Sequence, residues 1–113
     1  LSQEVADNTR KLILSEANPF YYSGTKLSGI GSPHTPVRYV WHISKAIEGL
    51  TAPTKEEKHQ MIHELMATDG GTGLMHEGVF VDDPTVYTRE WFSWANAMFC
   101  ELVLDYCDIR VAR

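Results

Sequence analysis

Apolar side chains recur every three or four residues in four parts of the chain, the spacing that gives a helix one apolar face. This pattern predicts helices over 2–16, from 36 to about 49, from 54 to about 68 and from about 88 onward. No segment of useful length alternates apolar and polar residues as a half-buried strand does. The hydrophobic pattern therefore predicts an all-α fold, with helices that alternate with glycine-rich loops.

Local signals at the helix ends agree with this pattern. Thr35 followed by Pro36 offers a hydroxyl cap and then a proline at the first helical position. Thr54, with Glu57 three residues later, has the pattern of a capping box. Gly70 is typical of the residue that ends a helix, so the third helix is expected to stop just before it.

Two glycine-rich stretches separate the predicted helices. Residues 18–36 are predicted to form a long loop. We expect this loop to follow a defined path, because it contains apolar side chains that can pack against the rest of the chain. Loops longer than about 12 residues inside compact domains are usually functional or disordered. In the second stretch, 70–94, four glycines surround His76 and Glu77, two side chains that can move protons. We expect this second loop to line a ligand cleft.

Two candidates for chemistry lie in these loops. Glu77 could act as a general base on water, because a carboxylate in a cleft can accept a proton; alternatively, it only binds loop amides. The second candidate is His34, which stands between two prolines just before a predicted helix. Its stiff backbone suits a hydrogen bond to a substrate hydroxyl, but His34 could instead cap that helix.

A metal site is a further hypothesis. His59 and His63 are spaced i and i+4 on one predicted helix face, which can hold zinc, and His76 or Glu77 could supply a third ligand. The metalloprotease helix requires a glutamate directly after the first histidine, where this chain has Gln60. A solvated polar face is the alternative interpretation of this pair.

Aromatic residues are frequent in and beside the two loops. At helical spacing such side chains mostly belong to the core. Trp91, at the edge of the second loop, could instead stack on the face of a sugar ring. The aromatic set comprises Tyr21, Tyr22, Trp41, Trp91 and Trp94.

The composition of the chain argues against nucleic acid and membrane as binding partners. The 113-residue chain has a formal net charge of −5 with scattered Lys and Arg, which argues against nucleic acid. No apolar run approaches the roughly 20 residues of a membrane span. Cys100 and Cys107 on one helix would be separated by about 10 Å of rise, beyond disulfide reach. We expect reduced core thiols and a cytoplasmic location.

Five ordered motifs extend over much of the chain. They are Gly29-Ile-Gly-Ser-Pro-His-Thr-Pro36, Trp41-His42, Thr68-Asp-Gly-Gly-Thr-Gly-Leu-Met-His-Glu-Gly78, Asp82-Asp-Pro84 and Thr88-Arg-Glu-Trp-Phe-Ser-Trp-Ala-Asn96. Together they resemble the C-terminal part of glycoside hydrolase family 125, whose members are exo-α-1,6-mannosidases with an (α/α)6 barrel. The resemblance implies that residues 1–113 are the C-terminal segment of such a catalytic domain, incomplete in this chain.

The resemblance also implies a reaction. It is the inverting hydrolysis of terminal α-1,6-linked mannose from a glycan, without a cofactor. One carboxylic acid protonates the leaving oxygen, and a second carboxylate activates water. The family's base comes from the late glycine loop and maps onto Glu77. Ser32, His34, His76 and Trp91 would line the sugar site.

The general acid of the family is an aspartate well upstream, with no counterpart in this chain. We therefore expect the isolated chain to be inactive. Because it begins with Leu1 rather than methionine, a fragment is expected, whose exposed inner face would favour association with itself or with a companion fragment. The alternative is a non-catalytic helical module for binding or assembly.

Overall fold

The computed structural model describes residues 2–109 and contains four helices and five short strands within that range. Three of the helices pack against one another, and the strands form two small antiparallel sheets beside them. In chain order the elements are α1 (Gln3–Ile13), β1 (Tyr21–Ser23), β2 (Ser28–Ile30), β3 (Tyr39–Trp41), α2 (His42–Leu50), α3 (Lys55–Ala67), β4 (Gly78–Phe80), β5 (Tyr87–Thr88) and α4 (Ser93–Tyr106).

The predicted all-α fold is wrong, because both glycine-rich stretches contain strands. The first stretch folds into the β1–β2 hairpin instead of an irregular loop. The second contributes β4 and β5, which pair with β3 in the order β3–β4–β5. Each strand has only two or three residues, too few for an alternating pattern to be visible in the sequence.

The strands surround an apolar core of their own. Val40 and Val79 face each other across the β3–β4 pair, and both are fully buried. Leu27 and Val81 complete this cluster. Because Val40 and Val79 are far apart along the chain, their pairing is a long-range contact that local sequence does not reveal.

All four predicted helices are present in the described residues, and three of them share a core. Helices α2, α3 and α4 meet through the buried side chains of Ile43, Ala46, Leu65, Ala95 and Leu102. This packing fixes the helices that flank the glycine-rich stretch between α3 and α4.

The predicted start of α3 is confirmed at its cap. Thr54 Oγ1 accepts a hydrogen bond of 3.2 Å from the backbone nitrogen of Glu57. The Glu57 carboxylate lies 3.8 Å from Arg10 Nη2 of α1. Arg10 also donates to the Glu48 carbonyl at the end of α2, so this arginine ties α1 to its neighbours.

Two predicted helix starts are too early. The helix expected from 36 begins at His42, because Arg38 has a left-handed backbone (φ 66°) and residues 39–41 form β3. The helix expected from about 88 begins at Ser93, because Thr88 ends β5 and Arg89 also has a positive φ, 53°. In both cases pairing in the sheet overrides the local capping signal.

The two cysteines correct a further expectation. Cys100 and Cys107 are free, as predicted, but both are exposed rather than part of the core. Cys100 lies on α4, and Cys107 directly follows the end of that helix. Among the described residues, no helix is both long and apolar enough to cross a membrane.

Candidate functional site

The Glu77 backbone is held between two elements at the start of β4. Its nitrogen donates to the Thr88 carbonyl at 3.1 Å, and its carbonyl accepts from the His42 nitrogen at 3.3 Å. Glu77 therefore occupies a fixed position between β5 and the first turn of α2, although it lies in a glycine-rich stretch.

The Glu77 carboxylate has two side-chain partners. The Thr88 hydroxyl donates to Oε1 at 3.0 Å, and Arg89 Nε lies 3.3 Å from Oε2. The side chain of Glu77 is 15% exposed, so it lies close to the surface without projecting into solvent. A hydroxyl and a guanidinium, rather than the loop amides considered above, are the partners that hold this carboxylate.

His76, the neighbouring residue, is completely buried. Its Nε2 lies 2.8 Å from the Asp69 carbonyl and its Nδ1 lies 3.0 Å from the Glu90 carbonyl. The ring also stacks on Tyr87, with centroids 3.8 Å apart and planes inclined by 8°. The imidazole therefore connects both ends of the stretch that carries Glu77.

His42 is a buried partner that sequence reasoning did not select. Its Nδ1 accepts from the His76 backbone nitrogen at 2.8 Å, and its Nε2 lies 3.2 Å from Thr68 Oγ1. Because the Thr68 hydroxyl donates to the Glu64 carbonyl, Nε2 of His42 must be the nitrogen that carries hydrogen. Burial, and secondarily the proximity of His76, lowers the pKa of His42 from 6.5 to about 3.

Asp69 shapes the turn that precedes His76. Its carboxylate accepts from the backbone nitrogens of Gly71 at 2.8 Å and Gly73 at 3.0 Å. Both glycines have positive φ angles, 79° and 73°, which residues with a Cβ adopt at a cost. The glycines are thus needed for a compact turn, and Asp69 was not recognised as its organiser.

The turn that carries Ser32 and His34 lies beside the same sheet. Ser32 Oγ accepts from the His34 nitrogen at 3.1 Å, and the exposed His34 ring lies 6.4 Å from Trp41 between centroids. Trp41 is the β3 residue that pairs with Gly78, the neighbour of Glu77. The sheet therefore brings two loops distant in sequence to one region.

The tryptophans after Arg89 are largely on the surface. The exposed fraction of Trp91 is 81%, so its ring is accessible for stacking. Trp94 is exposed as well, and the expectation that it belongs to the core is wrong for this chain. Arg89 Cζ lies 5.9 Å from the centroid of Phe92, which keeps the segment that precedes α4 compact.

The histidine pair on α3 has different surroundings. The His59 ring lies 5.8 Å from the ring of Tyr106 on α4. Within residues 2–109, no three His, Cys, Asp or Glu side chains are grouped so that they could hold a metal ion.

Comparison with known proteins defines the class of this chain. The family model of the metal-independent α-mannosidases, glycoside hydrolase family 125, matches residues 1–104. The chain belongs to this family, and the resemblance found in its motifs is confirmed.

Two relatives show how much of such a protein the chain represents. It is 48% identical over 102 residues to the meiotically up-regulated gene 157 protein of Schizosaccharomyces pombe, covering 89% of the chain and 20% of that protein. A solved structure from Streptococcus pneumoniae is 59% identical to the chain and superposes with a TM-score of 0.94. The match covers 96% of this chain and 25% of that one. That structure is described as a metal-independent α-mannosidase in a non-productive complex with α-1,6-mannobiose. The chain spans only a fifth to a quarter of these relatives.

Proposed function

We propose that this chain is the C-terminal segment of an inverting exo-α-1,6-mannosidase that removes terminal mannose from glycans. Membership of the family supports the glycosidase class. The pneumococcal relative, which was solved with α-1,6-mannobiose, supports the linkage. One observation carries the assignment. The Glu77 carboxylate lies near the surface, and its two oxygens contact Thr88 and Arg89.

Glu77 would act as the general base. In this reaction the carboxylate takes a proton from water while the water oxygen bonds to the anomeric carbon and the glycosidic bond breaks. A carboxylic acid on the opposite side gives its proton to the leaving oxygen, roughly 6.5–9.5 Å from the base in inverting glycosidases. We assign that acid to the part of the family domain that this chain does not contain.

The sugar would be bound by side chains around Glu77. The exposed His34 ring and the Ser32 hydroxyl are proposed as hydrogen-bonding groups, and Trp91 as the surface on which the sugar ring stacks. His76 was also predicted to contact substrate. Its buried ring, with both nitrogens next to carbonyl oxygens, favours a role in positioning the Glu77 loop instead.

The fold proposed for the whole domain is an (α/α)6 barrel. The packing of α2, α3 and α4 agrees with part of a helical barrel. Helix α1 also agrees, because none of its residues over Gln3–Ile13 is buried, as expected if further helices cover it. We propose that those helices come from the remainder of the family domain.

Mannose release from α-1,6-mannobiose tests this function. Two proteins are compared: the 113-residue chain, and a long form in which the same segment follows the upstream part of the family domain, from its own gene or from the pneumococcal relative. We expect activity only in the long form, because loss of the general acid alone costs about 10²–10⁴-fold in rate.

The variant Glu77→Gln of the long form tests the base. We expect kcat to fall by about 10²–10⁴-fold, because glutamine cannot accept the proton of water. The control is Glu56→Gln, which removes the same charge from an exposed position on α3. An unchanged rate for Glu77→Gln would exclude this glutamate as the base, whatever the overall activity.

The alternative is a non-catalytic module for binding or assembly. Its supporting feature is that the chain offers one candidate base and no upstream acid. If both the chain and the long form fold, bind mannobiose by calorimetry and release no mannose, the module is the better description.

A further inference from the structure

Four consecutive residues after β4 contact the segment that contains Glu77. We call residues 87–90 the clamp and residues 76–78 the base segment. Each clamp residue makes a different kind of interaction. The base segment is held by ring stacking, a hydrogen bond from a hydroxyl, an ion pair and a contact with a backbone carbonyl. The contacts are Tyr87 stacked on His76, the Thr88 hydroxyl on Glu77, the Arg89 guanidinium on Glu77, and the Glu90 carbonyl on His76.

Thr88 has the most directed of these contacts. Its Oγ1 accepts a hydrogen bond of 3.0 Å from the Gly78 backbone nitrogen. A hydroxyl has only one hydrogen to donate, and that of Thr88 points to Glu77 Oε1 at 3.0 Å. The backbone of β4 thus orients the threonine hydroxyl, and the hydroxyl in turn orients the carboxylate.

The backbone register of the sheet fixes this arrangement. Thr88 pairs with Gly78 in the β4–β5 ladder, and its carbonyl accepts from the Glu77 nitrogen at 3.1 Å. The threonine therefore contacts both the main chain and the side chain of the glutamate. Its Oγ1 cannot move away from Oε1 without breaking the bond from Gly78.

Arg89 contacts the other carboxylate oxygen in a weaker way. Its side chain is 64% exposed, and its Nε lies 3.3 Å from Oε2. Ion pairs with such exposed partners contribute little, because solvent screens them. Oε2 is therefore the less firmly held of the two oxygens, whereas Oε1 is attached to the sheet through Thr88.

We propose that Thr88 is a positioning residue for the general base, which holds Glu77 Oε1 so that Oε2 faces the attacking water. This inference rests on the proposed function, since it assigns a task to Thr88 only if Glu77 is the base. Thr88 itself takes part in no bond making or breaking: water gives its proton to Oε2, and its oxygen bonds to the anomeric carbon.

Thr88→Val in the long form tests this role, because valine keeps the branched shape that suits a strand and removes the hydroxyl. We expect kcat to fall by about 10–100-fold, since misplacing a reacting group by about 1 Å can cost 10²-fold. KM should change less than about twofold, because no substrate contact is lost. Thr88→Ser should keep kcat within about threefold, since it retains the donor.

Thr85→Val is the matched control. Thr85 lies in the turn between β4 and β5, and its hydroxyl donates to the exposed Asp83 rather than to the base segment. We expect its kcat to equal that of the unsubstituted long form. Melting temperatures are recorded for all variants, so that the assay is run where each one is folded.

The outcomes separate this inference from the proposed function. If Glu77→Gln abolishes hydrolysis but Thr88→Val keeps kcat, or changes only KM, Thr88 has no positioning role and Glu77 remains the base. If Glu77→Gln is fully active, or the unsubstituted long form is inactive, both proposals fail. Should Thr88→Val not fold, Thr88→Ala decides, since it also removes the hydroxyl: a kcat loss of about tenfold or more with KM unchanged supports the role, and a smaller loss of kcat overturns it.

Discussion

At the scale of single residues, the buried side chains of His42 and His76 stabilise the fold and fix the position of the neighbouring Glu77. His42 accepts a hydrogen bond from the His76 backbone nitrogen, so it helps to fix the residue just before Glu77. Because Nδ1 is occupied as an acceptor and the ring is buried, the neutral form is the one that fits the folded chain. Protonation of His42 would oppose the folded structure.

This predicts a specific loss of stability in acid. The pKa of His42 is about 3 in the folded chain and near 6.5 when unfolded, so between these values the unfolded chain binds the extra proton. The contribution of neutral His42 to the free energy of unfolding is fully present above pH 6.5. It is lost as pH falls toward 3, by up to roughly 1.4 kcal/mol per pH unit.

Urea unfolding of the chain and of His42→Gln, from pH 7 to pH 4, measures this loss. Glutamine offers a hydrogen-bond acceptor and a donor and does not titrate. The contributions of the other titratable groups therefore cancel in the difference between the two curves. The free energy of unfolding of the unsubstituted chain should fall more steeply with decreasing pH. Parallel curves would contradict the assignment of His42 as the buried neutral group.

Sequence reasoning at this scale selected candidate proton-transfer groups but not the residues that support them. Glu77 and His34 were selected because proton-transfer groups in glycine- and proline-rich segments are unusual. His42, Asp69 and Thr88 were not assigned these supporting roles, since the role of each depends on a partner that only folding brings near. The partners of His42, for example, are 26 and 34 residues away.

At the scale of elements, one glycine shows why the first loop is a hairpin. Gly31 follows β2, and its nitrogen donates to the Phe20 carbonyl at 2.8 Å. A Cβ at this position would overlap the Tyr39 carbonyl oxygen at the start of β3 and lie 2.7 Å from Tyr22 Cε2. The absence of a side chain lets the hairpin approach the β3–β4–β5 sheet.

We therefore expect Gly31→Ala to destabilise the chain strongly. Overpacking typically costs about 1–3 kcal/mol, and a clash with backbone belongs at the upper end of that range. The comparison variant is Gly71→Ala, where an added Cβ meets nothing within 4 Å and only the positive φ is strained. That strain costs about 1–2 kcal/mol. A smaller loss of unfolding free energy for Gly31→Ala than for Gly71→Ala would contradict the close approach.

The prediction of elements succeeded for helices and failed for strands for one physical reason. A helix is stabilised by neighbours three and four residues away, so α1 and α3 are visible in the local pattern. A three-residue strand such as β3 exists only because it pairs with β4, nearly 40 residues later in the chain. The same pairing shortened the helices expected from 36 and from about 88.

At the scale of the whole molecule, α1 is the least covered element. Its apolar side chains Val5, Leu12 and Ile13 are exposed, as is Ile47 on α2. A groove of about 220 Å³ lies between α1 and α2, and its apolar lining comes from Ile13, Leu14, Ile30 and Ile47. Such a surface favours association when nothing covers it.

We expect the 113-residue chain to associate with itself through this face. Sedimentation velocity over a range of concentrations should detect larger species, and Leu12→Glu should reduce them because a buried carboxylate is costly to desolvate. Gln60→Glu, which adds the same charge at an exposed position on α3, is the control. A chain that stays monomeric, or that associates equally in both variants, would show that α1 is not the contact surface.

The sequence by itself determined the family, the presence of four helices and the candidate residues for the site, because motif order, periodicity and residue chemistry are all local properties. Only the tertiary structure decided that the glycine-rich stretches pair as strands. It also decided that Thr88 and Arg89 hold the Glu77 carboxylate and that both cysteines are exposed. These features depend on contacts between distant residues, and burial is a property of the packed chain rather than of any one segment.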